Sequence, residues 1–244
     1  CASGTSQIVN VAREPEITDL ANCLNAMGAR ITGQGTDTLT IEGVTSLSSA
    51  THQVVADRVE AGTFIMAAAM SGGSLTVRDI IPHHLDALFD VIRQTGVGID
   101  VGDNFVTVTA DGRYKAQNVE TQAYPGFPTD LQAQFTAMMC LANGVSQISE
   151  TIFENRFMHV PELVRMGADI SVDGRTAVIR GKEALLAAPV MATDLRASVS
   201  LVLAGLATAG TTRLSHIYHL DRGYAELEAK LGTCGARMRR IHKS

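Results

Sequence analysis

Repeated β-α-β-α-β-β units, an α/β (α+β) architecture of helices laid on small sheets, are what this 244-residue chain predicts. Three observations predict it. A glycine closes a helical pattern at Gly28, Gly96, Gly167 and Gly235, with spacings of 68, 71 and 68 residues. A second glycine opens a strand-like run at Gly4, Gly73, Gly144 and Gly210, with spacings of 69, 71 and 66. Hairpin-like pairs then close three units: ARITGQG with DTLTIEG, GIDVGD with NFVTVTADG, and ADISVDG with TAVIRG. Two independent glycine markers with one period define a repeat of about 70 residues.

Each element follows in order within the unit. A first helix is expected to begin at Asp57, Thr129 or Thr193, in stretches rich in Ala, Gly, Ser and Thr. The strand after the upstream glycine alternates apolar and polar residues, as at Leu75, Val77 and Ile80, or Ile148, Thr151 and Phe153. A second helix follows; in the first copy Ile17, Leu20, Ala21, Leu24 and Met27 make an apolar stripe, with Pro15 pre-set at its first turn. Gly28 ends it by taking the left-handed conformation that a side chain disfavours. The first copy has no first helix ahead of GTSQIVNV, and SLSSATHQV (46–54) is a polar break. The organisation expected is therefore a partial domain at 1–53 and a three-unit domain at 54–244.

Composition excludes several classes of function. The chain is 45% hydrophobic and 18% charged, so it folds around a core rather than staying disordered. A net charge of −5 and the lack of a dense basic stripe argue against nucleic acid, and the short basic end RMRRIHK (237–243) reads as a solvated tail. Uncharged stretches reach 16 residues (62–77 and 197–212), too short and too rich in small residues for a membrane span. Cys1, Cys23, Cys140 and Cys234 are scattered without paired spacing, as expected of reduced thiols; Cys23 and Cys140 fall in apolar helical patterns and are expected in the core. The chain opens at Cys1 and reads as the inside of a longer protein.

Four stretches carry candidate chemistry. In AYPGFPTDLQAQF (123–135), Thr129 and Gln132 have the spacing of a capping box, which places Asp130 in the first helical turn. Asp130 is either a helix-start aspartate or a base facing a substrate hydroxyl. In ETIFENRFMHVPEL (150–163), Glu154 and Arg156 are expected to share one face of an extended segment, as an edge-strand ion pair or as part of a site. In VMATDLRASVSLVLAGL (190–206), Asp194 and Arg196 precede an otherwise uncharged helix. In HIYHLDRGYAEL (216–227), Asp221 and Arg222 stand just ahead of a helix, where a cation is opposed by the dipole unless an anion is shared. Three arginines near helix starts, Arg156, Arg196 and Arg222, would converge if the units pack about a pseudo-axis, forming a pocket for a small polyanion with carboxylate and phosphate groups. Only four of the 20 basic residues are lysine, and planar guanidinium forks suit such a ligand.

Other chemistries find no support. His83 and His84 lack a third ligand with helpful spacing, and His216 and His219 are expected on opposite faces of a strand, so no metal and no cofactor are expected. The GQG and SGG runs lack a dinucleotide-binding context, and no G-x-S-x-G appears.

The motifs FPTDLQAQF, ETIFENRFMHVPELVRMGADI, VMATDLRASVSLVLAGL and IYHLDRGYAELEAKL, with AREPEITDLANCLNAMGA and DRVEAGTFIMAAA, resemble the UDP-N-acetylglucosamine enolpyruvyl transferases along essentially the whole chain. The resemblance is to the C-terminal part of such enzymes. It implies an inverse α/β fold of two similar domains, each a threefold set of units about a pseudo-threefold axis, with substrates in the cleft between them. It implies transfer of the enolpyruvyl group of phosphoenolpyruvate to the 3′-hydroxyl of UDP-N-acetylglucosamine with release of phosphate, in the bacterial cytoplasm.

Carried over by motif, Asp130 resembles the residue at the sugar 3′-hydroxyl and the candidate base, and Ile152 a position whose backbone contacts the nucleotide sugar. Arg222 resembles the phosphoenolpyruvate-binding arginine, Arg196 and Arg156 further charged cleft residues, and Glu154 and Asp194 the groups that orient them. The family's Lys-Asn pair, cysteine-bearing loop and neighbouring arginine precede the region present, so none of the four cysteines inherits the catalytic role. The resemblance thus implies a missing N-terminal half and an isolated chain without turnover. The related shikimate-pathway transferases carry a Lys-Glu-(Ser/Thr)-Asp-Arg pattern where this chain has FENRFMHVPEL and lack FPTD, which makes them a distant alternative. A non-catalytic nucleotide-sugar-binding module is the other.

Overall fold

The computed structural model describes residues 1–241. Its first unit comprises β1 (Thr5–Val9), α1 (Pro15–Ala26), β2 (Arg30–Thr32) and β3 (Thr38–Glu42). The second has α2 (Arg58–Ser71), β4 (Gly73–Arg78), a 3-10 turn at Pro82–Leu85 leading into α3 (Asp86–Gln94), then β5 (Gly98–Val101) and β6 (Phe105–Ala110). The third has β7 (Val119–Glu120), a 3-10 turn at Thr129–Leu131 ahead of α4 (Gln132–Met139), β8 (Val145–Ser149), α5 (Val160–Arg165), β9 (Asp169–Asp173) and β10 (Thr176–Arg180). The fourth has β11 (Pro189–Met191), α6 (Ala197–Leu206), β12 (Arg213–Ser215), α7 (Tyr218–Asp221) and α8 (Leu227–Thr233). The third unit is thus β-α-β-α-β-β in full.

The sheets repeat one plan. The strand after the upstream glycine pairs antiparallel with the last strand of the hairpin, giving β1-β3-β2, β4-β6-β5 and β8-β10-β9. The expected hairpins are all present, with Arg30 opposite Glu42, Val101 opposite Val106 and Asp173 opposite Thr176. The leading strands β7 and β11 lie parallel to β8 and β12, because α4 and α6 supply the crossover that a parallel pair requires.

Local chain geometry explains the period. Gly28, Gly96, Gly167 and Gly235 follow α1, α3, α5 and α8 with φ of +100°, +94°, +90° and +98°. Three of these ends share one further bond, the N–H of Ala29, Ala168 or Ala236 donating back to the carbonyl of Leu24, Leu163 or Leu231. That 6→1 bond reverses the chain into the next segment only if the intervening residue is left-handed.

The uncharged stretches become the centre of the molecule. α2, α4 and α6 pack on one another and are buried on nearly every face, every residue of α4 included. Small residues permit the close approach: a Cβ on Gly62 would meet Leu131 Cδ1 at 2.7 Å. Val106, Val108, Ile148, Ala177 and Ile179 on the sheets cover this helical core. The first unit has a small core of its own around Ala21, Ile31 and Leu39. Arg58 ties it to α2 through a bidentate pair with Glu16 at 2.9 and 3.2 Å, and His52 lies 3.0 Å from Asp19.

Several expectations are corrected. There is no capping box, because the Thr129 hydroxyl donates to Glu150 Oε2 at 2.9 Å and leaves the helix end to backbone bonds. The segment after Ser149 is a series of turns rather than extended strand, with Asn155 at φ +57°. His216 and His219 are not on a strand; His219 belongs to α7. Arg222 follows α7 and is separated from α8 by a turn, so it does not stand directly ahead of a helix. The basic end is not simply solvated, since Arg240 is held by Asp221 and Glu228; Lys243 lies outside the described residues. Cys140 is buried, its thiol pushed up to about 12 by burial, whereas Cys23 is only half-buried.

Candidate functional site

Asp57, Asp130 and Asp194 occupy matching places at the entries to α2, α4 and α6, and two of the three spend their carboxylates on the helix. Asp57 Oδ1 accepts from the N–H of Val59 and Glu60 at 2.7 and 3.1 Å. Asp194 Oδ1 accepts from the N–H of Arg196 and Ala197 at 2.7 and 2.6 Å. Asp130 caps nothing. The amides of Leu131 and Gln132 are already taken by the carbonyls of Pro128 and Thr129. Its side chain, 36% exposed, instead meets Arg156 through Oδ1 and lies 3.4 Å from Arg196 Nε through Oδ2.

Arg156 is buried, donates to the Thr129 carbonyl at 3.4 Å, and has its guanidinium carbon 5.0 Å from the Phe153 ring centre. Arg196 keeps Nη1 buried and, among the described residues, without a partner, 3.4 Å from where a Cβ would sit on Gly223. That glycine adjoins Arg222, whose exposed side chain forms no ion pair among the described residues. Asp130, Arg156 and Arg196 are therefore brought together, with Arg222 on the turn beside them. A carboxylate between two guanidinium groups, with further unspent donors beside it, suits an anionic ligand that also presents a hydroxyl.

Of the two orienting roles expected of carboxylates, that of Glu154 on Arg156 is not seen and that of Asp194 on Arg196 is indirect. Glu154 is 81% exposed and pairs with Arg175 at 3.2 Å, while Arg156 is 10% exposed and turned inward. The turn at Asn155 puts the two on different sides. Asp194 acts on Arg196 through the backbone amide rather than the guanidinium. Ile152 is half-exposed; its N–H is committed to Glu150 Oε1 at 2.9 Å, and among the described residues its carbonyl accepts no bond.

The supporting residues gave little or no signal in sequence. Glu150, buried at the end of β8, accepts from Thr121 Oγ1 (2.7 Å), Thr129 Oγ1 (2.9 Å) and the amides of Ile152 and Phe153 (2.9 Å each). One carboxylate thereby joins the Arg156 loop to the turn carrying Asp130. Gln134 donates to the Asp130 carbonyl at 3.0 Å and lies 3.2 and 3.3 Å from Thr63 Oγ1 and Tyr224 OH, which are 2.9 Å apart. This network links three units, and its only sequence mark is a run of polar residues (Gln132, Gln134, Thr136) in a helix with no exposed face. His159 is fully buried and, among the described residues, neither of its ring nitrogens is partnered; burial, opposed by nearby Asp194, pushes it down to about 4, so it is neutral at pH 7. A groove of about 420 Å³, lined by Ser71, Leu206, Thr208, Cys234 and Arg237, lies at the C-terminal ends of α2 and α6, away from Asp130. No group of residues that could hold a metal occurs among the described residues.

These features define an enolpyruvyl-transferase-like fold, and the family described as EPSP synthase (3-phosphoshikimate 1-carboxyvinyltransferase) matches residues 1–231; the chain belongs to that family. Within it, the chain is 57% identical over 98% of its length to the UDP-N-acetylglucosamine 1-carboxyvinyltransferase of Rhizobium etli, and 56% identical over 98% to that of Geobacter metallireducens. It spans 56% and 58% of the length of those two curated relatives. Among solved structures it resembles the enolpyruvyl transferase NikO from Streptomyces tendae with a TM-score of 0.86 and 30% identity, covering 98% of this chain and 57% of that one. An EPSP synthase from Acinetobacter baumannii shares the fold, with a TM-score of 0.72 at 17% identity over 99% of this chain and 59% of that one. No helix among the described residues is long and apolar enough to cross a membrane.

Proposed function

We propose that this chain is the C-terminal part of an enolpyruvyl transferase that joins phosphoenolpyruvate to the 3′-hydroxyl of UDP-N-acetylglucosamine, the first committed step of peptidoglycan synthesis in the bacterial cytoplasm. On this reading residues 1–53 are a piece of a first domain and 54–244 a second domain, with substrates in the cleft that the missing N-terminal half completes. The observation that carries the reading is the release of Asp130 from the capping duty of Asp57 and Asp194 and its placement between Arg156 and Arg196. The identity of 56–57% to the named relatives, against 17% to the EPSP synthase structure, favours the nucleotide sugar over shikimate phosphate as acceptor.

The chemistry assigns each group a task. Protonation of the methylene carbon of phosphoenolpyruvate makes C2 electrophilic; the sugar 3′-oxygen bonds to C2 and loses its proton, and the C2–O bond to phosphate then breaks as a proton leaves the methyl carbon. Asp130 is the carboxylate that holds the 3′-hydroxyl and takes its proton. Arg222 and Arg196 hold the phosphate and carboxylate charge as it redistributes, and Arg156 keeps Asp130 in place. The free carbonyl of Ile152 is available to the nucleotide sugar. The cysteine-bearing loop and its Lys-Asn pair belong to the missing half, so the chain alone is expected not to turn over.

Mixing the chain with both substrates and measuring phosphate release tests the reading. No release alone, restored when the N-terminal half of the full-length protein is added, is the expected result. Saturable binding of UDP-N-acetylglucosamine without release even then would make the protein a binding module.

A further inference from the structure

The turn that carries Arg222 runs between α7 and α8, and its two flanks are both acidic. Asp221 precedes Arg222 and Glu228 lies in the first turn of α8. One guanidinium closes the base of this turn. Arg240 binds both oxygens of Asp221, Nη1 to Oδ2 at 2.9 Å and Nη2 to Oδ1 at 2.6 Å, and reaches Glu228 with Nε at 2.8 Å and Nη2 at 3.2 Å. At its middle the turn is held by Tyr224, buried against Thr63 and Gln134. The site therefore holds an aspartate adjacent in sequence to the arginine that must stay open to an anionic ligand. An unpartnered carboxylate there would compete with that ligand for Arg222, but Arg240 occupies both its oxygens.

We propose that Arg240 is a positioning residue for Arg222: by claiming Asp221 and bracing it against Glu228, it fixes the 222–227 turn and keeps the Arg222 guanidinium free for the anionic substrate. Arg240 lies 18 residues beyond Arg222 in the basic C-terminal end and touches no residue assigned to the chemistry. Its action on the reaction rests on the function proposed above; its action on Arg222 does not.

The test uses the full-length protein that contains this chain, with the variants Arg240→Gln, Arg240→Lys and the double variant Asp221→Asn with Arg240→Gln. The first readout needs no substrate: phenylglyoxal labelling of Arg222, mapped by mass spectrometry on protein whose circular dichroism is unchanged. Arg222 labels readily in the parent and about fivefold more slowly in Arg240→Gln, where the freed Asp221 pairs with it. Arg240→Lys keeps the charge but not the fork and falls between the two. The double variant recovers the parent labelling rate, because the competing carboxylate is gone. In turnover, KM for phosphoenolpyruvate rises about tenfold in Arg240→Gln while KM for the nucleotide sugar stays within about twofold, and the double variant again recovers.

Labelling of Arg222 that is the same in the parent and in Arg240→Gln overturns the proposal. So does a double variant no better than the single one, the result of a merely structural clamp. A parent protein that labels as expected but releases no phosphate overturns the functional reading instead and leaves the role of Arg240 intact.

Discussion

Thr129-Asp130-Leu131 and Thr193-Asp194-Leu195 are the same three residues at matching places in successive units, and they do different work. Asp194 binds two amides and starts α6; Asp130 binds none and faces two arginines. The difference begins one residue earlier. In the third unit the chain enters α4 through a 3-10 turn whose amides bond to Pro128 and Thr129, so the helix needs no side-chain cap. A repeat can thus keep a residue type and reassign it when the backbone takes over its structural duty.

The largest expected effect separates the two aspartates. Asp130→Asn in the full-length protein, which keeps the side chain's size and hydrogen bonding beside Arg156 and Arg196, is expected to cut phosphate release by about 10²–10⁴-fold with an unchanged circular dichroism spectrum, as for a lost general base. Retained turnover would return Asp130 to the class of ordinary helix-start residues. Glu150→Ala should come next, this time in stability. It strands two threonine hydroxyls and two amides at the joint between the Arg156 loop and the Asp130 turn, a loss of about 3 kcal/mol by urea denaturation. An unchanged midpoint would mean that the joint is held by something else.

His159 gives a pH-dependent test of the same neighbourhood. Its folded value of about 4 lies below the ordinary 6.5, so the unfolded chain binds the proton first as pH falls. Its contribution is fully present above pH 6.5 and is lost progressively down to about pH 4. Replacing it with Gln should flatten the stability profile across that window, and an equally steep profile would assign the acid sensitivity elsewhere. The smallest effect is expected from Asp57→Ala, a cap loss worth about 1 kcal/mol with kcat unaltered. Asp194→Ala should cost a similar amount of stability but also lower activity, because the amide it holds belongs to Arg196. Equal activity in both variants would show that the cap does not position that arginine.

Much of the scaffold could be read from the residues alone because its rules are local. A left-handed residue after a helix calls for glycine, and a two-faced hairpin calls for alternation, so Gly28, Gly96, Gly167 and Gly235 and the three hairpins announced themselves. The motif residues could be named because they stand in long, distinctive strings. Their partners were harder. Glu154 and Arg156 looked paired until the turn at Asn155 separated them, and the basic end looked solvated although Arg240 closes on Asp221 and Glu228. Glu150 and His159 gave no sign of their burial.

The sequence by itself determined the repeat and the order of its elements, because both are set by residue types at fixed short spacings, and its long motif strings carried the resemblance to a family. Only the tertiary structure decided which aspartate caps and which faces two arginines, which carboxylate Arg240 takes, and which polar groups lie buried together. A carboxylate satisfies an amide and a guanidinium equally well, so its choice depends on which donors the packing of distant units leaves unspent and brings within reach.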